Sequence, residues 1–223
     1  MKEYPHIDSV YKRDKQGKFI LGDYSCPEFE YLKDNPWVWT EKIDGTNIRI
    51  MFSSLYGSDL AIKRLIGGKT DNASIPARLI AWIDEHIDPT QGQLREIFET
   101  TTPGFPNVCL YGEGYGAGIQ KGGAYSPDQK FILFDVKIDE WWLKREDIED
   151  VADKLNLDVV PILNTCSLQD MVDVVQELAI SANITSSTIG NAKAEGFVGQ
   201  PTIPMFNRRH QRIITKVKYC DFT

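Results

Sequence analysis

Glu41-Lys42-Ile43-Asp44-Gly45-Thr46-Asn47, followed by the alternating run Ile48-Arg49-Ile50-Met51-Phe52, is the stretch from which the rest of the chain is read. A lysine followed at once by a turn-forming Asp-Gly, and then by a strand-like segment, presents one amine at the rim of a sheet, where a phosphate can meet it. Lys42 is therefore a candidate nucleophile. A surface lysine beside a hairpin turn is the alternative that these few letters leave open.

The 223 residues are 42% hydrophobic and 26% charged, an ordinary globular composition with enough length for a sizeable core. No apolar run approaches the ~20 residues of a membrane helix, and the polar start Met1-Lys2-Glu3-Tyr4-Pro5 lacks the apolar centre of a signal peptide. The expectation is one domain, with a small subdomain as the alternative, cytoplasmic and with no membrane partner. Cys26, Cys109, Cys166 and Cys220 are far apart, as are His6, His86 and His210, so free thiols are expected and neither a zinc site nor a histidine metal site is indicated. The net charge of −7 conceals an uneven distribution. Asp139 to Asp158 carries eight acidic residues, whereas Arg208 to Lys218 carries five basic ones and no acidic one. An acidic molecule with one cationic face still attracts a polyanion.

Trp37 and Trp39 share one side of an extended segment running into Lys42 and read as core packing under the site, with base stacking as the alternative. Asn47 to Phe52 and Leu60 to Arg64 read as an antiparallel pair joined around Tyr56-Gly57-Ser58-Asp59. Helices are expected from Ile75 to Ile83, started by Ser74 and Pro76, and from Gln93 to Glu99, ended by Pro103, Gly104 and Pro106. Asn107 to Tyr111 reads as a buried strand leading into the glycine-rich run Gly112 to Gly123, whose glycines permit left-handed dihedrals and close approach to a ligand. Gly112, Gly114 and Ala117 match a loose dinucleotide fingerprint, but the further glycines and Pro127 argue against the helix that motif needs. Phe131 to Ile138 is an apolar strand in which Asp135 is either a satisfied carboxylate or a metal-side residue, and Trp141 to Leu143 a returning strand. Helices from Glu146 to Leu155 and Leu168 to Ile180, the second capped by Ser167 and Asp170, precede a polar loop from Ser181 to Asn191. In the last strand, alternation puts Lys216 and Lys218 on one face with Ile214, an arrangement that suits solvent or an anion.

Five signals now stand in one order: Lys42-Ile43-Asp44-Gly45, Tyr111-Gly112-Glu113, Phe131-Ile132-Leu133-Phe134-Asp135, Ala194-Glu195-Gly196 and Lys216-Val217-Lys218. That order resembles the covalent nucleotidyltransferases, the superfamily of DNA ligases, RNA ligases and mRNA capping enzymes, as motifs I, III, IIIa, IV and V. With Lys63-Arg64 and Gly118-Ile119-Gln120-Lys121, the chain looks most like the RNA ligase 2 type of ATP-dependent RNA ligase. The Gly-Ile-Gln-Lys segment discriminates best, because DNA ligases and capping enzymes lack it after motif III.

The resemblance implies an α+β nucleotidyltransferase fold, ATP-grasp-like, with antiparallel sheets flanked by helices and the nucleotide in a groove between them. It implies a single adenylyltransferase domain over 1–223 with no OB-fold, since the chain ends five residues after Lys218. A minimal one-domain ligase, or a partner chain supplying the missing substrate-binding surface, would account for that. By resemblance, Lys42 attacks ATP, holds AMP as a phosphoramidate, passes it to an RNA 5′-phosphate, and a 3′-hydroxyl then seals the strand. Lys42, Glu195, Lys216 and Lys218 are the implied catalytic residues, and Glu195 the ligand of Mg²⁺ or Mn²⁺. Glu41 (through its main chain), Asn47, Arg64, Glu113 and Phe134 are the implied nucleotide contacts, with Glu113 on the ribose and Phe134 stacked on adenine. Arg208, Arg209 and Arg212 are the candidates for RNA backbone contact. Gln200 departs from the family pattern, which often has a basic residue there. A DNA ligase or other polynucleotide adenylyltransferase is the rival reading, and a non-catalytic nucleic-acid end-binding protein the rival of another class.

Overall fold

The computed structural model describes residues 2–55, 58–98, 104–120 and 124–223. In chain order the elements are β1 (Asp8–Ser9), β2 (Tyr11–Arg13), β3 (Phe19–Tyr24), α1 (Pro27–Tyr31), β4 (Pro36–Lys42), β5 (Thr46–Leu55), β6 (Ser58–Gly67), α2 (Ala77–His86), α3 (Gln91–Ile97), β7 (Val108–Tyr115), β8 (Lys130–Ile138), β9 (Trp141–Trp142), α4 (Arg145–Leu155), β10 (Ile162–Ser167), α5 (Leu168–Ile180), β11 (Gly196–Pro201) and β12 (Thr215–Lys218). The fold is α+β. The turn residues Tyr56 and Gly57, the expected helix end at Glu99, Pro103, and Lys121-Gly122-Gly123 lie outside the described residues. The chain divides into two compact units, one of Met1–Tyr4 with Gly45–Val160, the other of Pro5–Asp44 with Pro161–Thr223.

The Gly45–Val160 unit is built on a five-stranded sheet in the order β6-β5-β7-β8-β9, antiparallel throughout. Alternation along β5 sends Ile48, Ile50 and Phe52 to a core face, where they pack with Leu110, Phe131, Leu133 and Val136 against Leu79 and Ile83 of α2, Leu94 of α3, and Ile148, Val151 and Leu155 of α4. The helical spacing was legible in the sequence; α3 begins two residues before the expected start, at a Thr90/Gln93 capping box. One reading of the glycine-rich run changes: Gly112 and Gly114 lie inside β7. A Cβ at Gly112 would come within 2.2 Å of the Phe131 ring and one at Gly114 within 2.3 Å of Leu79, so there glycine is required by packing. Left-handed dihedrals begin only at Gly116 (φ 115°) and Gly118 (φ 83°).

The other unit carries a five-stranded sheet in the order β1-β12-β11-β4-β10, antiparallel except for the short β1–β12 pair. Trp37, Trp39, Phe197 and Val217 point to the face covered by α5, which contributes Leu168, Met171, Val172, Val175 and Ala179. Both tryptophans are fully buried and stacked, with centroids 6.0 Å apart. That burial supports the core reading and removes the base-stacking alternative. Ser167 caps α5 by accepting from the Asp170 amide. No helix among the described residues is long and apolar enough to cross a membrane.

Candidate active site

The ladder of the second sheet explains how Lys42 and Glu195, 153 positions apart, meet. Gly196 opposes Lys42 on one side and Lys218 on the other, and Val198 opposes Thr40 and Lys216. Strands lie ~4.8 Å apart and repeat a face every two residues, ~6.7 Å. Lys42, Lys218 and Lys216 therefore project from one face, opposite the buried tryptophans. Glu195 stands just before β11 and takes both outer lysines on one carboxylate: Lys42 Nζ is 2.5 Å from Oε2 and Lys218 Nζ 3.0 Å from Oε1. The three side chains retain only 20–26% of their exposure, so the pairing is shielded from bulk water without being sealed from a ligand.

Three lysines and one carboxylate leave surplus positive charge in a chain that is acidic overall. Lys216 records it: burial, then the charges of Lys42, Lys218 and Arg13, lower its pKa below the usual lysine value. Burial also acts to lower Lys218, but the Glu195 carboxylate more than offsets it and the net shift is upward. Gly196 is required here sterically. A Cβ would stand 2.2 Å from Val217 O and 2.7 Å from Lys218 Cα, forcing apart the two strands that carry the lysines.

The Glu41 side chain points away from this face and is buried, accepting from Ser187 Oγ and from both the amide (2.8 Å) and Oγ1 (2.5 Å) of Thr188. It thus anchors the polar loop before β11 to the residue preceding Lys42. The resemblance assigns a role only to the Glu41 main chain; that its side chain is a buried acceptor depends on Ser187 and Thr188, 146 and 147 residues away in sequence.

In the other unit, Asn47 and Glu113 are direct cross-strand partners on the face opposite the helices. Asn47 Oδ1 is buried with no hydrogen-bond partner among the described residues, an acceptor in want of a donor such as a sugar hydroxyl. Gly45 has to be glycine because a Cβ would stand 2.3 Å from Gly114 O and 2.8 Å from Glu113 Cγ. Phe134 is half-buried at an irregularity of β8. Arg64 does not join this group. It opposes Phe52 on the core-side face of β6, where its guanidinium donates to Asp84 and to the Ile87 carbonyl at the end of α2.

The arginine cluster is also divided. Arg208 and Arg209 are exposed on a tight turn closed by Asn207, whose side chain accepts from the Arg209 and Gln211 amides. Arg212 turns back to the sheet and donates to Gln200 Oε1 at 2.8 Å. By alternation Gln200 shares the lysine-bearing face, so the position lacking its own basic side chain holds a guanidinium through the neighbouring segment.

Among the described residues no group of three or more His, Cys, Asp and Glu is placed to hold an ion. A single carboxylate among lysines fits an ion shared with phosphate oxygens and water, as Mg²⁺ usually is, and the surplus cations fit a polyphosphate.

A sequence model of the RNA ligase family matches residues 35–218, a span running from β4 through the last lysine of β12. The chain belongs to the RNA ligase family. Solved structures add likeness of fold. A Naegleria gruberi RNA ligase mutant with ATP and Mn superposes with a TM-score of 0.60 at 19% identity, covering 97% of this chain and 57% of that one. The same enzyme with PPi gives 0.60 at 19%, covering 98% and 62%, and a mutant with AMP and Mn gives 0.58 at 18%, also 98% and 62%. This RNA ligase family member thus spans roughly three-fifths of the length of those structures. No protein with a curated description matches its sequence.

Proposed function

We propose that this RNA ligase family member seals RNA 5′-phosphate to 3′-hydroxyl ends with ATP, through AMP held covalently on Lys42, the 223 residues acting as one adenylyltransferase domain. The observation that carries the reading is the single Glu195 carboxylate shared by Lys42 and Lys218, with Lys216 on the same face. The ATP, AMP and PPi in the Naegleria structures name the species that this chemistry uses and releases.

Lys42 must be neutral to attack. Its Nζ then bonds to the α-phosphorus as the bond to the pyrophosphate oxygen breaks, and pyrophosphate leaves with the electron pair. Lys218 and Lys216 offset charge on the phosphate oxygens in the transition state. Glu195 orients Lys42 before nucleotide arrives. It would also hold Mg²⁺ or Mn²⁺, directly or through water, and the ion would add charge compensation at the phosphates. An RNA 5′-phosphate oxygen next displaces Lys42 from the adenylate phosphorus, and a 3′-hydroxyl finally expels AMP. Glu113 accepts from the ribose hydroxyls, Asn47 Oδ1 takes a further donor, Phe134 stacks on the base, and the Glu41 main chain reads the base edge. Arg212, held on Gln200, adds a cation to the lysine-bearing face, while Arg208 and Arg209 contact the RNA backbone. Arg64 has no part in this scheme, because α2 engages it.

The test is end joining on nicked RNA, nicked DNA and single-stranded RNA with ATP or GTP. ATP-dependent sealing of RNA over DNA is expected. Preference for DNA would move the acceptor to the rival polynucleotide ligase reading. Binding of ends without joining, under any nucleotide and metal, would overturn the enzymatic reading.

A further inference from the structure

Phe134 owes its placement to a bulge. Tyr111 pairs with Asp135 and Gly112 with Leu133, which leaves Phe134 as the extra residue between them. With strict alternation Asp135 would share the core face with Leu133; the slip instead turns it to the face of Tyr111 and Glu113. Bulges re-aim side chains in this way and hold only as firmly as their surroundings hold them.

What surrounds this bulge is the start of the chain. The Tyr4 hydroxyl donates to Asp135 Oδ2 at 2.9 Å, and Asp135 is 3% exposed. The Tyr4 ring meets Phe134 edge-on at 5.0 Å, Trp142 edge-on at 5.6 Å and Tyr111 at 5.2 Å. Two more contacts fasten the segment: Tyr111 donates to the Lys2 carbonyl at 3.2 Å, and Lys2 Nζ reaches Glu140 at 2.7 Å. One side chain therefore grips both residues of the bulge, Phe134 by its ring and Asp135 by its hydroxyl. The edge-on contact fixes the Phe134 ring without fully burying it, since Phe134 stays partly exposed.

We propose that Tyr4 is a positioning residue for the nucleotide base, locking the bulge so that Phe134 presents its ring in one orientation. This rests on the reading above that Phe134 stacks on adenine. A stacking side chain confers affinity and base preference only when its own rotamer is held by its neighbours. Loss of the Tyr4 clamp spreads Phe134 over several orientations and weakens binding before it alters chemistry.

The test compares wild type, Phe134→Ala, Tyr4→Phe and Tyr4→Ala in covalent labelling by ATP and by GTP, with melting temperature measured in parallel. Tyr4→Phe is expected to raise KM for ATP about threefold, the scale of one hydrogen bond, and Tyr4→Ala about tenfold, which adds that of an aromatic pair, with kcat within about twofold and the preference for ATP over GTP reduced. Tyr4→Phe keeps the ring, so it reads the hydroxyl clamp in a folded protein. A lower melting temperature with unchanged KM and unchanged base preference would mean that Tyr4 only covers apolar surface, and the inference would fall alone. Absent labelling in wild type, or an unchanged KM in Phe134→Ala, would remove the reading on which it rests and the inference with it.

Discussion

Replacing Glu41 by alanine removes a carboxylate that is 2% exposed and is the shared acceptor of three donors from Ser187 and Thr188. Hydrogen bonds to a charged group are worth about 1.5–3 kcal/mol each, and a buried donor left unpaired costs about 1–3 kcal/mol. The three bonds do not simply add. Thr188 is exposed and recovers water on losing its partner, whereas Ser187 is 8% exposed and recovers little. The net cost is therefore about 2–4 kcal/mol, which for a chain of this length lowers the melting temperature by about 5–15 °C. Glu41→Gln keeps one oxygen for Ser187 but turns an amide toward the Thr188 N–H, so it should lose about half as much. Because Glu41 precedes Lys42 and opposes Phe197 across the ladder, Glu41→Ala should also slow covalent labelling in the fraction that stays folded. The assay is thermal unfolding by circular dichroism, with labelling measured well below the transition. A Glu41→Ala melting temperature within about 2 °C of wild type would refute the loop-anchor argument, as would a Glu41→Gln variant less stable than Glu41→Ala.

Gly196→Ala should cost about 1–3 kcal/mol by overpacking and reduce labelling at Lys42, because the added Cβ meets Val217 O and Lys218 Cα; normal labelling would show that the strand spacing there is not tight. Arg64→Ala should lower the melting temperature by about 2–4 °C per kcal/mol lost at the end of α2 while leaving KM for ATP unchanged; a raised KM at unchanged stability would contradict the face assigned to it. Lys137, and then Lys2, hold the Glu140 carboxyl down at about 2, below its ordinary 4.5. A carboxyl depressed on folding contributes stability that is fully present above the unfolded value and is lost as pH falls through the folded one. Wild type should therefore lose melting temperature more steeply than Glu140→Gln between pH 4.5 and about 2, and parallel profiles would sink the assignment.

The helices were legible because their signals are local. Apolar spacing and caps such as Ser167 fix α4 and α5 within a residue or two. Alternation likewise put Lys216 and Lys218 on one face, and Trp37 and Trp39 together on another. Features that depend on pairing between distant strands were less visible. Gly112 and Gly114 read as loop because glycine is locally a poor strand residue, yet Phe131 and Leu79 leave no room there for a side chain. The face taken by Arg64 depends on which β5 residue it opposes, and motif order carries no such register. The link from Lys42 through Glu195 to Lys218 needs β4, β11 and β12 side by side, which motif order suggested but only the ladder places. Tyr4 gave no sequence signal, its partners lying about 130 residues away in a polar, irregular start.

Covalent chemistry at Lys42 is the claim on which the rest depends. Intact-mass measurement after incubation with ATP and Mg²⁺, followed by peptide mapping, tests it directly. One AMP is expected on the peptide containing Lys42, released on adding pyrophosphate, with no adduct on folded Lys42→Ala. An adduct that persists in Lys42→Ala, or that maps to another residue of the wild-type protein, would contradict it.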